Sequence, residues 1–206
     1  MTRLRGMIFN VENMMARFDF EHSDQGLLSL LDVTSEIERA NLVRAHWNAI
    51  NDENRVFTAL SIRRGGSPEV ICLQEVDSFH ALKAFHDRYL KRIARVEYPH
   101  KALIEGNDPR GIDVVVLSLH PIDSMSTHQE DTEIVYYPNE PKVEKVFRRD
   151  CLEVRILKEG KVLPIFVCHF KSMIPSREET KPTRETEAKA VRRILERCFG
   201  DPCIHD

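Results

Sequence analysis

Several features that would settle the class of this protein at once are missing from its sequence. No apolar run approaches the roughly 20 residues that a membrane-spanning helix needs. The first ten residues, MTRLRGMIFN, lack the long apolar core of a secretory signal. The five cysteines are scattered and include no CxxC pair (Cys72, Cys151, Cys168, Cys198 and Cys203). An odd set of cysteines without an export signal predicts reduced thiols and a cytoplasmic protein.

Aromatic residues are also scarce, at 7%, and do not alternate with basic residues in the way that favours stacking on single-stranded nucleic acid. The 206 residues are 42% hydrophobic and 31% charged, which excludes wholesale disorder and suffices for a hydrophobic core. No repeat and no linker rich in Pro, Gly or Ser divides the chain. We therefore expect one domain over residues 1–206.

The net charge of −3 is uninformative, but the charge is unevenly distributed. Residues 142–197 carry 15 Lys and Arg against 9 Asp and Glu, whereas the rest carries 15 against 24. Such a basic block is the electrostatic footprint of a phosphate-rich ligand or a solvated face of mixed charge.

Hydrophobic patterning predicts strands alternating with helices. Apolar runs predict strands at residues 5–10, 69–76, 101–104 and 112–119. Apolar residues at helical spacing predict helices at residues 35–50, at 55–62, from Ser78 onward, and from a cap at Thr183 to about Cys198. The turn KEGK (158–161) joins a predicted β-hairpin, and residues 125–145 and 171–182 are predicted loops. This mixture favours a layered α/β or α+β fold.

Four polar residues stand at the ends of these predicted strands: Asn10, Glu75, Asp113 and His169. Strand ends in layered folds are where sites are built, because rigid backbone fixes the side chains at an open rim. Each residue also has a structural explanation. The Asn can cap a ladder, the Glu can lie on the surface, and the His can be a satisfied structural residue. Cys168 and His169 cannot act together as a thiol–imidazole pair, since adjacent strand residues face opposite sides.

Taken in order, the segments FNVEN, ICLQEV, RGIDVVVLS and VCHFKS resemble the endonuclease/exonuclease/phosphatase superfamily. This superfamily includes DNase I-like nucleases, abasic-site endonucleases, sphingomyelinases and inositol-phosphate phosphatases. The match runs over residues 5–197. The resemblance implies a DNase I-like four-layer α/β sandwich, in which two mainly antiparallel sheets lie between helices. The remaining alternative is an unrelated α/β protein in which the four polar residues are structural.

The resemblance also implies roles for individual residues. Glu75 would bind Mg²⁺ or Mn²⁺, which fits the preference of hard cations for oxygen ligands. Asn10 would orient the metal site or a phosphate oxygen, and His169 would lie beside the scissile phosphate. Asp113 lies near the position of a carboxylate that pairs with this histidine. Three basic residues would hold phosphate oxygens: Arg110, Arg149 and Lys171. The implied reaction is metal-assisted attack of water on a phosphodiester or phosphomonoester.

Two motifs of the resembled family do not occur here. A strand ending in G-D-x-N and a later D-H motif would supply further metal and nucleophile-positioning residues, and the tail FGDPCIHD matches neither. We therefore expect the C-terminal strands of the fold to be missing, with an exposed sheet edge through which two copies could form a homodimer. We also expect the chain alone to be a weak enzyme. The alternative is an inactive relative or fragment that binds nucleic acid or a protein partner.

The substrate class stays open at this point: DNA, RNA, a lipid head group or an inositol phosphate. Residues 125–145, with the acidic run Glu130–Glu133, form the segment where specificity could lie. Its acidity disfavours a long polyanion, whereas the basic helix that is predicted near the C-terminus favours one.

Overall fold

The structure is a computed structural model that describes residues 3–14, 52–136 and 141–200. The helix predicted over residues 35–50 lies outside the described residues. Four strands form the first sheet in the order β1-β2-β4-β3, namely β1 (Gly6–Met14), β2 (Val70–Val76), β3 (His100–Leu103) and β4 (Asp113–Ser118). β1 runs parallel to β2, and the other pairs are antiparallel. β2 and β4 read as apolar runs because helices cover one face and a second sheet covers the other.

The second sheet is antiparallel throughout its described strands. It contains β5 (Ile122–Ser126), β8 (Cys151–Lys158) and β9 (Lys161–Cys168) in the order β5-β8-β9. A separate hairpin consists of β6 (Thr132–Tyr136) and β7 (Pro141–Lys145). The loop predicted over residues 125–145 is therefore wrong, since this segment holds both strands of the hairpin. The predicted β8–β9 hairpin is confirmed, and its turn residues Glu159 and Gly160 both have positive φ, 52° and 71°.

Helices are described at four places: α1 (Asp52–Arg64), α2 (Phe79–Phe85), α3 (His86–Ala94) and α4 (Arg177–Phe199). Ser78 caps α2 as predicted, with its hydroxyl accepting the backbone N–H of Ala81 at 3.1 Å. α3 continues directly from α2 but is wound as a π-helix. No helix in the described ranges is long and apolar enough to cross a membrane.

The start of α4 differs from the prediction. Ser176, not Thr183, caps this helix, and Pro182 lies inside it. The Ser176 hydroxyl accepts the N–H of Glu179 at 3.2 Å and donates to the Glu179 carboxylate at 2.9 Å. This N-cap begins the helix well before the proline, so the predicted polar loop over residues 171–182 is wrong in its second half.

Two apolar layers and a smaller third cluster hold the elements together. Side chains of α1, α2 and α3 pack on the outer face of the first sheet, around Ile71, Leu73 and Val115. The inner faces of the two sheets meet through residues of β2, β4, β8 and β9. α4 covers the outer face of the second sheet through Ala190 and Ile194. The result is the four-layer sandwich with two mainly antiparallel sheets that the resemblance implies.

At one end of the sandwich, the carboxylate of Glu69 links the two sheets. Its Oε1 accepts Lys158 Nζ at 2.5 Å and lies 2.8 Å from His120 Nε2, while Oε2 accepts the backbone N–H of Arg5 at 2.9 Å. The hydrogen bond from Lys158, followed by those from Arg5 and His120, lowers the pKa of Glu69 from 4.5 to about 2. This clamp ties the start of β2 to the end of β8.

The Glu69 clamp predicts a pH-dependent loss of stability. Because its folded-state pKa lies below its unfolded value, Glu69 stabilises the fold above pH 4.5, and this contribution is lost as the pH falls towards 2. With the side chain 18% exposed, we expect Glu69→Gln to lower the free energy of unfolding by about 1–2 kcal/mol at pH 7. Urea unfolding at pH 7 and pH 3 measures this, and the gap between the two proteins should shrink at pH 3. A gap of the same size at both pH values would contradict the assignment.

Candidate functional site

Three of the predicted site residues converge at the opposite end of the sandwich from Glu69. Asn10 lies in the middle of β1, which runs on to Met14, so the prediction that Asn10 ends this strand is wrong. Glu75 lies near the end of β2, and His169 directly follows β9. The Asn10 side-chain amide donates to Glu75 Oε1 at 2.9 Å. His169 Nε2 lies 3.5 Å from the same carboxylate oxygen. Strands from both sheets thus deliver an amide, a carboxylate and an imidazole to one point.

Irregularities in β1 and β2 aim the first two of these side chains. The register of β2 against β4 shifts between Gln74 and Val76, and Glu75 has a positive φ of 67°. A β-bulge of this kind redirects a side chain, and bulges are common beside functional sites. β1 is irregular just after Asn10, whose Oδ1 accepts the backbone N–H of Glu12 at 2.8 Å. The local backbone therefore holds both side chains towards the rim.

Gln74 connects this rim to the second sheet. Its side-chain amide donates to the carbonyl of Cys168 at 2.7 Å. Because Glu75 follows Gln74 and His169 follows Cys168, this hydrogen bond ties together the two strand ends that carry the carboxylate and the imidazole. Gln74 was not predicted as a site residue, although it lies within the motif LQEV.

Beside these three residues, the carboxylate of Asp108 forms ion pairs with two arginines. Asp108 Oδ2 is 2.9 Å from Arg149 Nε, and the side chains of Asp108 and Arg149 are only 5% and 7% exposed. Arg110 donates from Nε and Nη2 to the two oxygens of Asp108, each at 3.1 Å. Arg149 also donates to the carbonyl of Phe170 at 3.3 Å. The predicted phosphate-binding residues Arg110 and Arg149 are therefore brought together, and Asp108 is the residue that does so.

The cationic surroundings affect His169. Burial lowers the pKa of His169 below its usual 6.5, and the positive charge of Arg149 lowers it further, against an opposing effect of Glu75. The imidazole is therefore neutral at pH 7 and can accept a proton there. Among the described residues, its buried Nδ1 has no hydrogen-bond partner.

The other two predicted residues are placed differently. The carboxylate of Asp113 is buried at the start of β4, accepts the backbone N–H of Gly106 at 2.8 Å, and has its pKa raised by burial to about 6. The negative charges of Glu75 and Asp108 each raise the pKa of His169. The pairing of Asp113 with His169 stays a prediction. Lys171 directs its ammonium group to the carbonyl of Ile174 at 2.8 Å, within its own loop.

Glu187 of α4 is a second residue that sequence reasoning missed. Its buried carboxylate accepts the backbone N–H of Lys171 at 2.8 Å and also a backbone hydrogen bond from Arg148. It therefore holds the two segments that carry His169 and Arg149. A glutamate in a helix rich in charge does not stand out in the sequence, so Glu187 could not have been found there. Asp108 could have been noticed, because aspartate is a typical first residue of a turn and it begins the turn Asp108–Gly111.

The side chains at this rim supply few ligands for a divalent metal ion. Within the described ranges, no group of three His, Cys, Asp or Glu side chains is arranged to hold a metal ion. The chemistry of Glu75, an aimed carboxylate beside a side-chain amide, suits Mg²⁺, which keeps several waters and takes one or two carboxylates plus substrate phosphate oxygens. The donor set thus fits Mg²⁺ if water and a phosphate supply the other ligands.

The chain matches no family model and no curated protein sequence. Among solved structures, it is similar to the β-hairpin deletion mutant of beta toxin from Staphylococcus aureus, with a TM-score of 0.52 and 14% sequence identity. The match covers 96% of this chain and 62% of that one, so the chain spans less than two thirds of the beta toxin structure. Beta toxin has a DNase I-like fold. The similarity therefore confirms the fold class that the resemblance implies, a DNase I-like sandwich.

The buried pair of Asp108 and Arg149 leads to a stability prediction. Removing one partner leaves a buried charge without compensation, so Asp108→Ala should destabilise the protein by about 3 kcal/mol. The double variant Asp108→Leu/Arg149→Met removes both charges and should unfold at a higher urea concentration than Asp108→Ala. Asp123→Ala, on the exposed strand β5, is the matched control. If Asp108→Ala were as stable as this control, the ion pair would not hold the site together.

Proposed function

We propose that this chain carries the site of a metal-dependent phosphoesterase, which hydrolyses a phosphodiester or phosphomonoester. The observation that supports this most is the convergence of Asn10, Glu75 and His169 from three strands of two sheets, with a carboxylate oxygen shared by an amide and an imidazole. The DNase I-like fold supports it as well. A purely structural role would not explain why a strained, bulged backbone presents Glu75 at the rim.

Each residue has a distinct part in this proposal. Glu75 holds Mg²⁺ or Mn²⁺ in position, and Asn10 orients the Glu75 carboxylate. When bound, the metal stabilises negative charge on the phosphoryl oxygens. Arg110 is the guanidinium best placed for a substrate phosphate, since its side chain is 54% exposed while Arg149 is buried. Arg149 acts instead by fixing the carbonyls that follow β9.

His169 handles a proton in this scheme. Its lowered pKa keeps the imidazole neutral near pH 7, so it can accept a proton from an attacking water or share a hydrogen bond with a phosphate oxygen. Nε2 is the atom that would take up this proton, because it faces the Glu75 carboxylate at 3.5 Å whereas Nδ1 is buried. Turnover should be slow, because the further carboxylate and histidine motifs of the resembled family do not occur in these 206 residues.

Glu75→Gln gives the direct test. We expect the purified chain to hydrolyse an activated diester such as bis(p-nitrophenyl) phosphate slowly, only with Mg²⁺ or Mn²⁺, and about 100-fold more slowly in Glu75→Gln. Glu185→Gln, an exposed change of the same kind on α4, is the matched control and should keep the wild-type rate. Hydrolysis that persists in EDTA, or that Glu75→Gln leaves unchanged, would contradict the proposal.

A second candidate function rests on the lack of a three-residue metal cluster among the described residues. In this case the chain is a catalytically inactive relative that binds a phosphate-containing ligand or partner. Binding of Mn²⁺ that requires Glu75 but gives no hydrolysis would favour it. The cytoplasmic location, the nature of the substrate and a homodimer stay predictions under either function.

A further inference from the structure

Two cysteines face each other directly beneath the candidate site. Cys151 begins β8 and Cys168 ends β9, and the two residues are opposite each other in the antiparallel ladder. Their sulfur atoms are 3.2 Å apart, and both are free thiols. This contact is independent of the residues that carry the proposed phosphoesterase function.

The hydrogen bonds of the two residues show what kind of pair they form. The backbone N–H of Cys151 bonds to the carboxylate of Asp150, and the carbonyl of Cys168 accepts the side-chain amide of Gln74 at 2.7 Å. These backbone groups therefore point away from the partner strand, which marks a non-hydrogen-bonded pair. Side chains come closest at such positions, and the typical Cα separation of about 4.5 Å lies within the disulfide range.

The two thiols differ in how readily a small molecule can reach them. Cys151 is fully buried between β8, β9 and α4, whereas Cys168 is partly exposed. The hydrogen bond to Cys168, together with burial, raises the pKa of the Cys151 thiol. An oxidant in solution would therefore meet Cys168 first, with Cys151 already in contact as the resolving thiol.

We propose that Cys151 and Cys168 are a reversible disulfide site, and that the bond clamps together the two strand ends that lead to Arg149 and His169. The oxidant is hydrogen peroxide. The Cys168 thiol attacks one peroxide oxygen and becomes a sulfenic acid, while the other oxygen leaves as water. The Cys151 sulfur then attacks the Cys168 sulfur, and the hydroxyl leaves as a second water. Two thiol hydrogens and two electrons pass in total to the peroxide.

The clamp acts where both strands enter the site. Asp150 and Arg149 immediately precede Cys151, and His169 immediately follows Cys168. The Gln74 hydrogen bond already ties Cys168 to the strand that carries Glu75. A covalent link between β8 and β9 at this point therefore fixes the position of His169 relative to Arg149, and a thiol reductant releases it.

The test uses the full 206-residue chain with Cys198→Ser and Cys203→Ser, so that these two thiols cannot compete. After reduction and removal of the reductant, hydrogen peroxide is titrated and the intact mass is measured. We expect a loss of two hydrogens, a linked peptide pair that contains Cys151 and Cys168, and full reversal by dithiothreitol. Cys72→Ser in the same background is the matched control and should leave the loss unchanged.

Two results would overturn the disulfide assignment. One is oxidation of Cys168 to sulfinic acid with Cys151 still reduced. The other is a linked pair that includes Cys72. In the same background, Cys168→Ser and Cys151→Ser should each fail to lose two hydrogens; should either variant not fold, Cys168→Ala and Cys151→Ala serve instead. For the clamp, amide hydrogen exchange at the end of β9 should slow several-fold on oxidation. Exchange at the same rate in both redox states would overturn that part of the proposal.

Discussion

The carboxylate of Asp108 is the charge on which the rest of the site depends. A buried guanidinium is costly unless a carboxylate compensates it, and Arg149 lies buried because Asp108 is 2.9 Å away. Once placed there, Arg149 bonds to the carbonyl that follows His169 and adds to the effect of burial in lowering the pKa of that histidine. Asp108 also accepts two hydrogen bonds from Arg110. One turn before β4 thereby organises residues from two sheets.

The two ends of the sandwich are held by different chemistry. At one end, Glu69 gathers a lysine, a histidine and a backbone amide, and its lowered pKa shows that this charge is stabilised by the fold. At the other end, Glu75 is held by Asn10 and lies near His169, on a backbone of positive φ. Strained backbone at a rim, together with a neutral histidine, is typical of a site rather than of a clamp.

Much of the fold could be predicted from the sequence, because burial leaves a direct trace in it. The apolar runs of β2 and β4, the KEGK turn and the Ser78 cap each follow from local physics, and each is found. The β6–β7 hairpin could not be predicted, since the alternation of polar and apolar residues that marks a strand is weak in TEIVY and PKVEK. The start of α4 was missed because the Ser176 N-cap begins the helix before Pro182, the residue that suggests a loop.

The site was only partly predictable for a different reason. Asn10, Glu75 and His169 belong to recognisable motifs in or directly after strands, whereas Asp108, Gln74 and Glu187 matter through contacts with residues far away in sequence. Long-range hydrogen bonds leave no periodic pattern.

The central claim is that Glu75 holds a divalent metal at this rim, and a crystal structure of the chain grown with Mn²⁺ and phosphate tests it most directly. The account predicts an anomalous manganese peak bonded to the Glu75 carboxylate, with phosphate between it and Arg110. A structure with both ions present in the crystal but neither beside Glu75 would contradict it.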